Sequence, residues 1–150
     1  MSSIRYEYGN DVDLDQIIEL YQASTLGERR PIDDRQIVAE MMRHANLVVT
    51  AWDGDLLVGI SRTLTDFSYT GYVADLAVRQ SHQKQGIGVE MIQQTREKMG
   101  PRSKLVLLAA PKAVDYYPRI GFTQPDSAWI LSASDPFPVN KLPVNNLIEA

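Results

Sequence analysis

The chain has 150 residues, a formal net charge of −4 and no cysteine, and its length suits one domain that buries roughly 70% of its unfolded surface. The cysteine count excludes a disulfide framework, a thiolate metal site and a cysteine nucleophile, and with only two histidines, far apart in the sequence, we predict no metal site. An acidic chain with scattered basic residues predicts no nucleic-acid partner, and the lack of any run near the ~20 apolar residues of a membrane span predicts a soluble, cytoplasmic protein with no membrane partner.

The first part of the chain predicts a short strand followed by two helices. Residues 4–8 are the strand candidate. Apolar residues then recur at helical spacing, with Asp13 placed to cap a first helix and the Asp33-Asp34 pair placed in the first turn of a second. A polar loop over residues 24–30 separates the two helices. The apolar faces are Leu14, Ile17, Ile18 and Tyr21 in the first helix and Ile37, Met41 and Ala45 in the second.

The middle of the chain predicts a β-hairpin and a further long strand. Residues 47–52 and 56–64 are strand-like, and Asp53-Gly54-Asp55 between them supplies the positive-φ turn that antiparallel hairpins prefer. Residues 71–78 predict a third long strand, rich in apolar residues. We therefore expect these segments to form most of a sheet.

A helix and a second apolar strand then complete a βαβ unit. The helix is predicted over residues 86–99, and Gly100-Pro101 ends it. The continuous apolar run over residues 105–110 predicts a strand covered on both faces and parallel to residues 71–78. The predicted fold class is therefore α/β, with a central mixed sheet flanked by helices. The apolar stripe of the helix consists of Ile87, Met91, Ile92, Thr95 and Met99.

The last part of the chain is predicted less regularly. A short helix over residues 112–117 and a turn at Gly121 lead to a last strand over residues 128–132. Residues 133–150 contain several prolines and little periodicity, so we expect a poorly patterned tail. The whole chain, residues 1–150, is expected to form one domain.

The loop between the third long strand and the following helix has the pattern of an anion site. Gly86 and Gly88 lie at the helix start, where unpaired N–H groups and the helix dipole favour phosphate and glycine allows close approach. A nucleotide P-loop would need Lys followed by Ser or Thr after Gly88, and neither follows. A dinucleotide fingerprint would need a glycine at position 91, where Met91 stands. The residues alone leave the phosphate compound open.

Two motifs together resemble the GCN5-related N-acetyltransferase (GNAT) superfamily. The first is Gln83-Lys84-Gln85-Gly86-Ile87-Gly88, which resembles the family's Gln-x-x-Gly-x-Gly motif for acyl-CoA. The second is residues 116–122, which look like its aromatic-Tyr-x-x-x-Gly-Phe segment. The order of predicted elements over residues 4–132 is also similar to the family's acyl-CoA N-acyltransferase-like fold. The resemblance implies acetyl-CoA as the cofactor.

The resemblance also implies which residues bind CoA. The pantetheine arm would lie along the strand before the loop, pairing with its backbone as an added strand does. The pyrophosphate would accept hydrogen bonds from the backbone at the helix start. The implied residues are Leu76, Ala77 and Val78 for pantetheine, and Gln83, Lys84, Gln85, Gly86, Ile87, Gly88 and Val89 for the pyrophosphate.

Tyr117 matches the family's acid, which would protonate the departing thiolate, while Tyr116 is interpreted as packing. Family members with a glutamate base often have it where Ala74 stands here, so Asp75 remains a candidate either for the base or for a structural role. A water relay would need no such base. Two further departures are Ala110, where the family often has asparagine, and Pro118, which removes a backbone donor beside Tyr117.

The resemblance implies an N-acetyltransferase acting on a primary amine, with a non-catalytic CoA-binding or regulatory module as the alternative. The acidic net charge, with acidic residues near the expected pocket, favours a small cationic amine or a polyamine as the acceptor, and leaves a peptide N-terminus or lysine side chain open. A homodimer is possible through sheet edges or the tail. His44 and His82 are interpreted as surface residues. The family's acceptor pocket maps onto Glu28, Arg62, Asp66 and Tyr69.

Overall fold

The computed structural model describes residues 3–137 as a five-stranded sheet with helices on both faces. The order of helices and strands agrees with the sequence prediction as far as the fifth strand. Each of the first two helices begins after an aspartate whose side chain accepts a hydrogen bond from the backbone three residues on. In chain order the elements are β1 (Arg5–Tyr8), α1 (Leu14–Ser24), α2 (Arg35–Arg43), β2 (Leu47–Asp53), β3 (Leu56–Thr65), β4 (Thr70–Val78), α3 (Ile87–Met99) and β5 (Lys104–Leu107).

The sheet is mixed, as predicted. Strands β1 to β4 pair antiparallel in chain order, and β5 pairs parallel with β4. The parallel step requires a crossover, and α3 provides it by packing on β2, β3 and β4. The carboxyl ends of β4 and β5 consequently lie at the same edge of the sheet.

Two apolar layers hold the sheet between its helices. On one face α1 and α2 pack against side chains such as Ile60 and Ala77, and on the other α3 packs against Val58 and Val78. Neighbouring strand residues thus point to opposite layers, as the pleat of a strand requires. The predicted stripe of α3, from Ile87 to Met99, is fully buried.

A β-bulge in β4 changes which face its side chains occupy. Thr63 of β3 pairs with Val73 and Arg62 pairs with Asp75, so Ala74 is the extra residue of β4. In a regular strand, residues 71 and 75 would share a face. Here a Cβ on Gly71 would meet Met99 of α3, whereas Asp75 bonds a residue of α1 on the opposite face. The bulge therefore delivers the Asp75 carboxylate to the α1 side of the sheet.

The buried face of α2 differs from the sequence prediction. Ile37 is 45% exposed, while Val38 and Met42 are buried. The acidic pair also does not enter the first turn, because Asp34 is the N-cap and the helix proper begins at Arg35. The prediction placed the helix phase one residue too early, since Ile37 and Val38 are both apolar and the pattern alone does not choose between them.

The predicted strand over residues 105–110 is shorter and less covered than expected. It ends at Leu107, and Val106 and Leu108 are 45% and 54% exposed. It is the edge strand of the described sheet and lies beyond the three strands covered by α3. An apolar run therefore did not mean burial on both faces here.

The segment after β5 also departs from the prediction. The short helix over residues 112–117 is replaced by two 3-10 turns, Pro111–Ala113 and Tyr117–Ile120. Residues 128–132 form no strand, and Trp129 is 94% exposed. β-Propensity depends on a neighbouring strand and a packed face, and this segment has neither in the structure. The predicted tail, residues 133–150, lies mostly outside the described residues.

Substitution of Gly71 by alanine is expected to destabilise the fold by about 1–3 kcal/mol, because the new methyl would overpack the layer under α3. Its Cβ would collide with Cε of Met99 and lie 3.1 Å from Cβ of Thr65. Urea unfolding measures the change in free energy. The double variant Gly71→Ala/Met99→Leu shortens the clashing side chain and should recover part of the loss, and equal stability of the two variants would contradict this packing account.

Candidate functional site

Strands β4 and β5 separate halfway along β4 and leave part of one strand edge open. Their register ends where Val73 pairs with Leu107, and β4 continues for five residues to Val78. On its other side β4 stays paired with β3 over this length. Two carbonyls of the segment are bonded by side chains: Arg30 donates to the Ala74 oxygen and Gln83 donates to the Val78 oxygen. The remaining edge can pair with an extended ligand.

The loop that follows β4 presents backbone donors without acceptors. Within the described part of the chain, no hydrogen bond uses the N–H groups from Lys84 to Val89, and the first helical bond is donated by Glu90 to the Gly86 oxygen. Lys84 and Gly86 both have positive φ, 63° and 84°. Turns with such left-handed residues commonly present successive N–H groups to a shared anion. The arrangement suits a phosphate or pyrophosphate.

The surroundings of the two glycines fit such a ligand. A Cβ at Gly86 would meet nothing within 4 Å, and one at Gly88 would meet only Cγ2 of Val78 at 3.7 Å. Tight packing of helix on sheet therefore does not explain Gly86. Open space in front of unpaired donors is what a bound anion needs.

His82 fixes the loop to the sheet. Its Nε2 lies 2.9 Å from Oδ2 of Asp53 and its Nδ1 lies 2.8 Å from Oγ of Ser81. The interpretation of His82 as an ordinary surface residue was therefore incomplete, because it is partly buried and joins the loop to the β2–β3 turn. No local sequence signal pairs residues 29 positions apart.

Asp75 lies at the centre of a buried ion-pair cluster. Its side chain is buried, and its Oδ1 accepts a hydrogen bond of 2.6 Å from Nε of Arg30. Its Oδ2 accepts from Nε of Arg62 at 2.6 Å and from the Tyr21 hydroxyl at 2.5 Å. These three donors occupy both oxygens. Of the two roles considered for Asp75, its contacts favour the structural one.

The ionisation of the cluster follows from these contacts. Burial acts to raise the pKa of Asp75, but the hydrogen bond and charge of Arg62, with the bonds from Tyr21 and Arg30, outweigh it and hold that pKa below its ordinary value. Burial and the Asp75 charge raise the pKa of Tyr21 well above its usual range. The cluster therefore holds one carboxylate, two guanidinium ions and one neutral phenol near neutral pH.

Tyr117 lies in the segment that leaves the carboxyl end of β5. Its ring packs edge-on against Tyr116 and Phe122, with centroids 5.5 and 5.3 Å apart. Burial, and secondarily Tyr116, raises the pKa of Tyr117 above its ordinary value. The phenol is therefore protonated at neutral pH, and its segment begins at the same edge of the sheet as the loop before α3.

The structure separates the residues predicted for an acceptor pocket. Arg62 lies within β3 and pairs with Asp75 across the edge of β4 opposite the open one, and Glu28 is exposed in the 3-10 turn before Arg30. Asp66 and Tyr69 lie at the other end of β4, roughly 25–30 Å along the strand from Val78. There the Asp66 carboxylate caps the turn, accepting N–H bonds from Ser68, Tyr69 and Thr70, and Lys104 lies over the Tyr69 ring.

The residues predicted to contact CoA all lie along one path. Leu76 and Val78 pack toward α3 and Ala77 toward α1, so only the backbone of this segment faces the open edge. Sequence reasoning missed Arg30 and Tyr21, since neither a lone arginine in a polar loop nor a tyrosine on an apolar helix face indicates an ion-pair cluster.

The described residues contain no group of side chains able to hold a metal ion, and no helix among them is long and apolar enough to cross a membrane.

Comparisons with known proteins agree on one family. The sequence model of the acetyltransferase (GNAT) domain matches residues 22–129. A GNAT-family acetyltransferase from Streptococcus pneumoniae is 26% identical with a TM-score of 0.65, over 86% of this chain and 98% of that one. A probable acetyltransferase from Staphylococcus aureus is 20% identical with a TM-score of 0.72, over 87% and 98%. No curated protein matches the sequence significantly.

A third structure shares the fold and was solved with a ligand. It is the aminoglycoside N-acetyltransferase AAC(6')-Iy in complex with CoA, 13% identical with a TM-score of 0.69, over 89% of this chain and 97% of that one. At this identity the likeness concerns the fold. The predicted fold class is confirmed by these neighbours together with the observed sheet.

Proposed function

The chain belongs to the GNAT acetyltransferase family, and from that premise we propose that it transfers the acetyl group of acetyl-CoA to a primary amine by direct attack on the thioester. One observation carries the proposal: the open edge of β4 leads straight into the unpaired N–H groups of Lys84 to Val89. An extended pantetheine arm followed by a pyrophosphate matches this order, in which a strand edge that can pair with a ligand comes directly before an anion site.

Each part of the chain has a distinct task in this proposal. Acetyl-CoA supplies the acetyl group and a thiolate leaving group. The backbone of residues 76–78 orients the arm and the start of α3 holds the pyrophosphate. Tyr117 donates a proton to the thiolate. Since the pKa of Tyr117 is raised, proton transfer to the thiolate is uphill by more than the roughly 2 kcal/mol that separates an ordinary tyrosine from a thiol. Collapse of the tetrahedral adduct between amine and thioester must offset this cost.

The attacking amine must be neutral, and an alkyl ammonium with a pKa near 10.4 is deprotonated about once in a few thousand molecules at pH 7. Asp75 is a poor base for this task, because three donors occupy its oxygens and its pKa is lowered. We therefore assign proton removal to a water relay and give Asp75 a positioning role.

The proposal is tested by calorimetric titration of the purified protein with acetyl-CoA, followed by a panel of primary amines scored by thiol release. Micromolar binding and amine-dependent thiol release support it. Binding without release for any amine would favour the non-catalytic CoA-binding module. Absence of binding by folded protein would overturn both.

Substitution of Tyr117 by phenylalanine is expected to lower kcat about a hundredfold, the usual contribution of a general acid. The ring and its edge-on contacts remain, so acetyl-CoA binding should change little. The matched control is Tyr116→Phe, which removes the neighbouring phenol and should leave kcat within about twofold. Steady-state kinetics with the best amine of the panel provide the measurement, and equal effects of the two substitutions would contradict the role of Tyr117.

A further inference from the structure

The buried cluster around Asp75 carries an excess positive charge. Asp75 supplies one negative charge, Arg30 and Arg62 supply two positive charges, and Tyr21 is neutral. Uncompensated charge is expensive in a protein interior unless something pairs with it. An anion near this cluster would complete its balance.

The two arginines differ in how their nitrogens are used. Arg30 bonds Asp75 through Nε, the Arg29 oxygen through Nη1 and the Ala74 oxygen through Nη2. Arg62 bonds Asp75 through Nε and the Met41 oxygen through Nη1. Its Nη2 has no hydrogen-bond acceptor among the described residues. The residue as a whole is only 8% exposed.

The free nitrogen of Arg62 is not completely sealed from solvent. Among the described residues, Thr63 Oγ1 is the only side-chain polar atom that has neither solvent contact nor a hydrogen-bond partner. Nη2 of Arg62 has no partner either, so it must keep some contact with solvent. A guanidinium fixed by two protein bonds, with one terminal nitrogen left without an acceptor, is a preorganised site for an oxyanion.

The cluster stands where the reaction would take place. Arg62 pairs in register with Asp75, the residue after the bulge, and β4 leaves β5 just before that point. Arg30 bonds the carbonyl of Ala74, the bulged residue itself. Along β4, a group held by Arg62 would therefore lie level with the point where the open edge begins, one strand across from it.

We propose that the acceptor is a primary amine that also carries a carboxylate, of the amino-acid type, and that the free Nη2 of Arg62 binds that carboxylate. The inference rests on the proposed function. One excess positive charge balances a carboxylate better than a doubly charged phosphate. The proposed acceptor is therefore a zwitterion, in place of the purely cationic amine that the net charge suggested.

The test compares amines that differ only by the carboxylate, such as phenylalanine with phenethylamine and lysine with cadaverine. Wild-type protein should acetylate the carboxylate-bearing member of at least one pair with at least tenfold higher kcat/KM. In Arg62→Lys, which keeps the charge for Asp75 but has a single nitrogen in place of the guanidinium fork, this ratio should fall toward one, mainly through KM. The matched control is Arg30→Lys, which should keep the ratio, since every terminal nitrogen of Arg30 already bonds a protein carbonyl.

The outcomes separate the two proposals. Efficient acetylation of amines without a carboxylate, or equal loss of the ratio in both variants, overturns the inference and leaves the proposed function standing. If acetyl-CoA binds and no panel amine is acetylated, the carboxylate inference is likewise overturned, while the cofactor assignment remains. If acetyl-CoA does not bind, the proposed function falls and the inference falls with it. Circular dichroism and thermal unfolding check that each variant is folded.

Discussion

Substitution of Gly86 by glutamate is expected to weaken acetyl-CoA binding by about a thousandfold or more. The new carboxylate would stand in open space in front of the N–H groups of Lys84 to Val89. It would repel the pyrophosphate and block several hydrogen bonds to a charged acceptor, each worth roughly 1.5–3 kcal/mol. Calorimetric titration with acetyl-CoA measures the loss.

The substitution also strains the backbone, and a control must separate the two effects. Gly86 has a φ of 84°, where a side chain costs roughly 1 kcal/mol. Gly54 in the β2–β3 turn has a φ of 58°, and a Cβ added there would likewise meet nothing within 4 Å. Gly54→Glu should lower stability about as much and leave acetyl-CoA binding intact. Wild-type affinity in Gly86→Glu would rule out the anion site at this loop.

Substitution of Asp75 by alanine is expected to destabilise the fold by about 3–5 kcal/mol, the usual consequence of removing one partner from a buried ion pair. Arg30, Arg62 and the Tyr21 hydroxyl would all lose their shared acceptor. Urea unfolding gives the free energy of unfolding.

The matched control for this substitution is Asp15→Ala. Asp15 also pairs with an arginine, Arg35, but its side chain is 77% exposed and that of its partner is 58% exposed. Because water screens such a pair, the expected loss is below about 1 kcal/mol. Equal losses at the two positions would show that burial of the Asp75 cluster does not govern its contribution.

The same cluster predicts how stability changes in acid. The pKa of Asp75 is lower in the folded protein than its usual value, so the stabilisation is present above about pH 4 and is lost as pH falls through the folded pKa. Asp75→Asn removes this titration, and the difference between the wild-type and variant free energies of unfolding should therefore shrink below about pH 4. Parallel pH profiles would contradict the assignment.

Most of the fold could be predicted because its helices and turns are specified by residues that lie close together in the chain. The hairpin follows from Asp53-Gly54, α1 from its aspartate cap and apolar spacing, and α3 from a stripe ended by glycine. The prediction weakened after β5. Residues 105–110 and 128–132 were judged by hydrophobicity alone, whereas coverage by α3 and the presence of a neighbouring strand decide whether such segments are buried or paired.

The sequence by itself determined the order of elements as far as β5, the mixed sheet, and the glycine loop at the start of α3, since each depends on residues close together in the chain. The tertiary structure alone decided the partners of Asp75. The bulge at Ala74 turns its carboxylate toward α1, and packing brings Arg30 from 45 positions away to meet it. A pleat that shifts by one residue reverses the face of every side chain after it, and no periodicity in the sequence marks where that shift occurs.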